Sequence, residues 1–230
     1  MGKQAIYAKG EIRTKKIISS GIKLFLENGY ENTTTAKIMS DAGMSQSAFF
    51  ASFDSKEDLL AELVKVMFEN QFKLAENLCT MENPLLMYAV ETTIQLQITE
   101  LSEELRELYL AAYSLPTTSE IIHLNTAKKL AGFFKKYLPD AEEKDFYEME
   151  IASGSVMRGF MSKKCDMYFT FDRKVRRFLE CNFKLYDVPR QEYLPVIESV
   201  VNMDLQHVAE DAIEDTVRKA EENFEAVMSM

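Results

Sequence analysis

Residues 33–56 read Thr-Thr-Thr-Ala-Lys-Ile-Met-Ser-Asp-Ala-Gly-Met-Ser-Gln-Ser-Ala-Phe-Phe-Ala-Ser-Phe-Asp-Ser-Lys. This stretch predicts two short helices joined by a tight turn, then the start of a longer one. Hydroxyl side chains at Thr33 and Thr34 stand where the first helix should begin, because an oxygen there can accept an otherwise orphaned backbone N–H. Ile38 and Ala42 lie four apart on one face. Gly43 supplies the backbone freedom for the turn. Ser45 is placed to cap a second helix whose apolar side is Phe49 and Phe53. Short helices around a glycine turn are the pattern of a helix-turn-helix. Alone they would be marginal, so a third element must complete their core.

The preceding residues supply it. From Glu11 to Asn28, Ile17, Ile18, Gly21, Leu24 and Phe25 form a helical stripe, and Gly29 follows as a stop with Tyr30 able to pack back on the last turn. Downstream, Ser55 caps a long helix with Glu57 and Asp58 in its first turn, where negative charge suits the helix dipole. Leu59, Leu60, Leu63, Val64, Met67, Phe68 and Leu74 carry it to about Leu78, with a break over Thr80–Asn83. The helix leaves the small head and enters the second domain, so its rotation would move the head.

Composition bounds the rest. With 230 residues, the length alone admits one large domain or two small ones. Few Gly (8) and Pro (5) favour long helices over a strand-and-turn fold. No apolar run is long enough to span a bilayer, and the N-terminus lacks the apolar core of a signal peptide. Cys79, Cys165 and Cys181 are scattered and odd in number, which reads as reduced thiols in a cytoplasmic protein. His123 and His207 lie far apart without partners at ligand spacing, so neither a metal nor another cofactor is expected. The net charge of −10 is uneven: residues 1–56 hold eight Lys/Arg against five Asp/Glu, and the remainder nineteen against thirty-two. A head of +3 therefore precedes a body of −13, the asymmetry that bears on nucleic acid.

Beyond Pro84 every segment reads helical: Leu85–Leu101, Ser102–Ser114, a segment from Thr117/Thr118 to about Tyr137, Glu142–Lys164, Phe171–Tyr186, Gln191–Val201 and Asp204–Val227, with a loop at Cys165–Thr170. The fold class is all-α, a three-helix head with a helix-turn-helix followed by a larger helical domain. The domains are expected at 1–56 and 57–230.

Over about Lys15–Leu60 the chain resembles the TetR family of bacterial transcriptional regulators. The resemblance rests on Ile17-Ile18, Leu24-Phe25, Gly29-Tyr30, Thr33-Thr34-Thr35, Ile38, Ala42-Gly43-Met44-Ser45, Phe49-Phe50, Phe53 and Ser55-Lys56-Glu57-Asp58-Leu59. It implies a homodimer whose heads place the second short helix, about Gln46–Ser52, in the major groove of a near-palindromic double-stranded DNA operator. The family's contact positions fall on Thr35, holding a phosphate, and on Ser45, Gln46, Ser47 and Ala48, facing base edges. Phe50 occupies a usual Tyr position and offers van der Waals contact instead of a hydroxyl. Ser52 stands where a larger group is common, and Lys56 would sit on the DNA backbone. Only Gln46 has a bidentate group, so direct readout is expected to be weaker than in an Arg-bearing helix, with shape and phosphate contacts carrying more.

The resemblance also implies that the body encloses a small apolar or amphipathic effector. Candidate lining residues are Met67, Phe68, Gln71, Phe72, Tyr88, Thr92, Gln95, Tyr109, Tyr113, His123, Met149 and Phe160, Met and aromatic groups with sparse polar handles. No buried-looking charge cluster is visible, which disfavours a highly charged effector. The dimer is expected through Glu142–Lys164 and Phe171–Tyr186, where Gly154, Ser155 and Gly159 allow close approach and Phe178, Leu179, Phe183 and Leu185 form an apolar face. That face could instead pack within the subunit. The last two helices could extend the dimer or cover the pocket. No nucleophile–base pair or phosphate loop is readable, so an enzyme is not expected. The leading function is a repressor released from its operator by the effector; the alternative is a DNA-binding protein whose body binds a protein partner.

Overall fold

The computed structural model describes residues 3–79 and 83–228, with side chains at 10–79, 83–219 and 222. Every regular element among them is a helix: α1 (Lys3–Asn28), α2 (Thr35–Asp41), α3 (Gln46–Phe49), α4 (Lys56–Leu78), α5 (Pro84–Leu101), α6 (Glu103–Ala112), α7 (Pro116–Phe134), α8 (Glu143–Ser162), α9 (Phe171–Leu185), α10 (Arg190–Val201) and α11 (Leu205–Met228). Most of the expected break at Thr80–Asn83 lies outside the described residues. Its last residue, Asn83, caps α5 by accepting from the Leu86 N–H at 3.1 Å.

The head forms as its local signals dictate. Thr34, rather than Thr33, caps α2 by accepting the Lys37 N–H at 3.2 Å. Thr33 is instead buried, its hydroxyl 2.9 Å from the Leu24 carbonyl and 2.8 Å from that of Gly29, so it ties the end of α1 to the loop. Gly29 and Gly43 take φ of +77° and +66°, the left-handed region where a side chain would be strained. Ser55 and Asp58 form a reciprocal capping box on α4. Ile17 and Phe25 of α1, Ile38 and Met39 of α2, Phe49 of α3 and Leu59 and Leu60 of α4 make the head core. Gly21 lets α4 approach, since a Cβ there would stand 2.5 Å from Leu59 Cδ2.

The apolar stripe beginning at Ile17 understates α1, which starts at Lys3 rather than Glu11. Helix α1 packs on α2 and α4 and also on α6 and α11. Ser19, Ile22 and Leu26 are accordingly buried beside the expected stripe. The last two helices pack on the body and the head. Helix α10 packs on α5 and α9, while α11 lies along α5 and against the head helix α1.

In the body, α5 is the axis, touching α4 and α6 to α11. A helix apolar nearly all round must be enclosed, and α5 is buried from Met87 to Thr99 without interruption. Around it Tyr88, Phe134, Phe183 and Tyr186 form an aromatic cluster, with Phe134 stacked on Tyr186 at 4.0 Å. Phe178, Leu179 and Phe183 are fully buried in the subunit's own core, so the apolar face of α9 packs within the chain. Gly154 is likewise internal, facing His123 of α7, whereas Ile151, Ser155 and Gly159 of α8 point outward.

Candidate nucleic-acid interface and body cavity

Helix α3 stands on a buried root. Phe49 is fully enclosed, with Phe53 5.7 Å away, and this pair fixes which side of α3 faces water. On that outer side Ser45, Gln46, Ser47 and Phe50 are exposed, Phe50 by 59% despite its apolar ring. Thr35 and Ala48 are half-buried beside them. The Gln46 amide donates to Thr35 Oγ1 at 2.7 Å, bracing the base-reading and phosphate-holding candidates against each other. Ser45 makes no cap; its hydroxyl lies 3.0 Å from that of Ser47, and only Gln46–Phe49 is α-helical before turns carry the chain to Ser52.

Ser52 and Lys56 serve the interior as much as the surface. Arg13 Nε donates to Ser52 Oγ at 3.2 Å, Thr14 lies 3.1 Å from the same oxygen, and Arg13 also reaches the Ala51 carbonyl. Sequence reasoning missed Arg13, whose partners lie 38 and 39 residues away. The Lys56 ammonium donates to the Tyr30 carbonyl at 2.8 Å and sits 3.8 Å over the Tyr30 ring. Burial there pulls its pKa down, although Glu31 and Glu107 pull the other way.

Head and body meet at a polar seam. Glu107 of α6 accepts the Glu31 N–H at 2.5 Å, with its other oxygen over Gly29. Glu57, in the first turn of α4, accepts the Thr117 N–H at the start of α7 at 2.6 Å.

Behind the seam α4, α5, α6, α7, α8 and α9 enclose a cavity of about 20 Å³. Phe68, Phe72, Tyr88, Thr92, Gln95 and Tyr113 line it. Met67, Gln71, Tyr109, His123, Met149 and Phe160 do not: Tyr109 is buried against Gln71, His123 packs edge-on to Tyr147, and Phe160 packs on Phe169 and Phe178. The lining also contains Glu91 and Glu150, 2% and 4% exposed, which overturns the expectation that the body buries no charge cluster. Burial pushes the Glu91 carboxyl up to about 7 and the Glu150 carboxyl up to about 8. Elsewhere buried charge is paired: Lys174 meets Glu100 at 2.5 Å, and Arg106 approaches Glu100 and Glu103. Outside the cavity, Phe68 and Phe72 also line an open groove of about 650 Å³ with Ile121, Leu124 and the rim residues Lys65, Glu69, Lys128 and Lys129.

The described residues hold no cluster fit for a metal ion and no helix long and apolar enough to cross a membrane. Cys79 is buried, Cys165 half-buried and Cys181 exposed, all as free thiols.

A glycine-turned helix pair, set on a third helix with its polar side outward, defines a helix-turn-helix protein. Residues 17–63 match the family described as bacterial regulatory proteins, tetR family. The helix-turn-helix head, residues 17–63, is thus of the TetR type. Two proteins of Bacillus subtilis (strain 168) are similar to it. One is named uncharacterized HTH-type transcriptional regulator YuxN, 28% identical over 110 residues, 47% of this chain and 38% of that protein. The other is named uncharacterized HTH-type transcriptional regulator YdgC, 30% identical over 96 residues, 38% of this chain and 49% of that protein. Each match thus spans half or less of the relative's length.

Proposed function

We propose that the protein is a DNA-binding transcriptional regulator that grips a near-palindromic operator as a homodimer and is released from it by a small, largely apolar effector in its body. The supporting observation is the outward face of α3, where Gln46, Ser47 and Phe50 project from a buried phenylalanine root. On this reading residues 1–56 are the DNA-binding unit and 57–230 the effector and dimer unit. Gln46 reads a base edge and Phe50 lies on sugar or a thymine methyl. Ser45, Ser47 and Ala48 line the groove and Thr35 holds a phosphate. Ser52 positions the reading segment through Arg13, and Lys56 adds positive potential at the start of α4. The outward Ser155 and Gly159 support pairing through α8, because small residues let helices approach closely, and the exposed Ile151 adds apolar surface beside them.

Binding of a labelled duplex from upstream of the protein's own gene tests this. Affinity should fall steeply with salt as counterions are released. Gln46→Ala with Phe50→Ala should cost about tenfold or more, the scale of one base contact. Equal affinity for a scrambled duplex at every salt concentration would refute the regulator reading. A body that docks a protein partner is the second reading, favoured by Met167 and Tyr168, 81% and 80% exposed in the loop between α8 and α9. A compound that both stabilises the protein and releases the duplex decides for the first.

A further inference from the structure

We propose that the body cavity is a receptor for an amphipathic organic amine, its protonated head between Glu91 and Glu150 and its apolar tail in the groove between α4 and α7. The inference rests on the effector reading above and names the ligand's chemical class.

Glu91 Oε1 accepts from Gln95 at 2.6 Å and Glu150 Oε2 from Ser153 at 2.5 Å, both neutral donors. Neither group forms an ion pair among the described residues. Thr126 Oγ1, a buried oxygen on the lining, has no hydrogen-bond partner there. Once ionised, two buried carboxylates without a cation are costly, and a compact positive charge with N–H donors would offset that cost. Lys174, buried and ion-paired with Glu100, shows how the same fold satisfies buried charge where no ligand is needed.

The walls suit that charge. Phe68, Phe72, Tyr88, Tyr113 and Phe178 present ring surface to the same space, and ring faces attract ammonium groups more strongly once water is excluded. The chain already uses one of these rings so: Lys129 Nζ lies 3.8 Å over Phe72 at the groove. Size divides the ligand in two. A cavity of about 20 Å³ takes one water-sized group, such as –NH₃⁺. The outer groove of about 650 Å³ takes the tail, and Phe68 and Phe72 belong to both spaces.

The surrounding titratable groups do not supply the charge themselves. Tyr88 of α5, Tyr113 just past α6 and Tyr186 just past α9 are held neutral by burial. His123 of α7 is pushed toward its neutral form by burial. Lys129 of α7 pulls on Glu91 from the exposed rim, where water screens it. In the empty cavity burial keeps both carboxyls protonated into the neutral range, so an arriving ammonium displaces a proton.

Calorimetry on the full chain with n-octylamine, 1-octanol and octanoate provides the test. At mildly alkaline pH, octylammonium should bind at least about tenfold tighter than octanol, and octanoate weakest. The doubly substituted Glu91→Gln/Glu150→Gln protein should lose that preference while holding octanol within about twofold. Near neutral pH, binding to the unsubstituted protein should release protons, seen as a heat that varies with the buffer's ionisation enthalpy. This second readout needs no variant. Equal affinity for the three compounds, no amine binding, a preference that survives both substitutions, or binding without proton release would overturn the proposal. Release of duplex DNA is measured separately. An amine that binds with the stated preference but leaves DNA bound confirms the site and refutes the effector reading alone.

Discussion

Raising the pH from 5 to 8.5 should destabilise this protein, and Glu150→Gln should remove much of the loss. Burial lifts the Glu150 carboxyl from 4.5 in the unfolded chain to about 8 in the fold, and Glu91 from 4.5 to about 7. A raised folded pKa means that the native state holds its proton more tightly than the unfolded one. The associated stability is complete below pH 4.5 and is lost as pH climbs through the folded pKa. Each such group costs about 1.4 kcal/mol per pH unit within that window. For Glu150 alone, moving from pH 5 to pH 7 therefore removes about 3 kcal/mol, a large share of a typical total of about 5–15 kcal/mol. Glutamine keeps the shape and has no proton to lose. Urea unfolding of both proteins across this range isolates Glu150 and its coupling to Glu91, because titrations independent of Glu150 cancel in the difference. The variant should match the parent near pH 5 and exceed it by several kcal/mol near pH 8. A difference that stays flat with pH would show that Glu150 ionises as freely in the fold as outside it, and the unpaired-carboxylate argument would fall.

Other substitutions probe the head. Gly29→Ala meets both a left-handed backbone and Glu107 Oε2 at 2.5 Å, so it should cost about 1–3 kcal/mol in urea unfolding. Ser55→Ala removes the capping box from α4 and should cost about 1 kcal/mol, with a cost near zero refuting the box as a stabilising element. Phe50→Ala should leave stability within about 0.5 kcal/mol, because the ring is mostly in water, yet weaken operator binding. A large stability loss would place Phe50 in the core rather than on the reading surface.

The head was readable because its signals are local. Thr34, Gly29, Gly43 and the Ser55–Asp58 box act within a few residues of where they stand. What was missed depends on distant partners. The stripe that begins at Ile17 does not reach back to Lys3, and α1 as a whole also packs on α11, about two hundred residues on. Lys56 reads as a cation for DNA, but its ammonium is taken by the Tyr30 carbonyl and ring. Ser45 is a local exception: it looks like a cap, but its hydroxyl turns to Ser47, two residues on. Of the two buried carboxylates, Glu91 left a signal: it is the sole charge between Pro84 and Thr99, in a helix apolar on every side. Glu150 left none, since it follows a run of acids on α8 that mostly face solvent. The apolar face of α9 was equally mute, because buried positions have the same pattern whether the partner is another helix of the chain or a second copy.

The smallness of the cavity bears on how an effector could act at all. A ligand that fits the observed arrangement unchanged would only draw the equilibrium toward that arrangement. Here about 20 Å³ admits only the ligand's head, so a bound molecule with a tail requires Phe68 or Phe72 to give way. Both rings lie on α4, whose first turn meets the body through Glu57 and Thr117 and the head through Lys56 and Tyr30. Any displacement of α4 therefore loads contacts that set the head's angle. Helix α11 and Glu107 hold the other side of the head against the body through α1 and the Gly29–Glu31 turn, so the head cannot follow α4 without working against them. An effector that must reshape α4 to enter prefers the reshaped state by construction. Turning a 1:99 population into 99:1 needs about 5.5 kcal/mol of that preference. Two carboxylates that gain a cation only in the ligand-filled state are a fitting source, because their attraction is absent from the empty state.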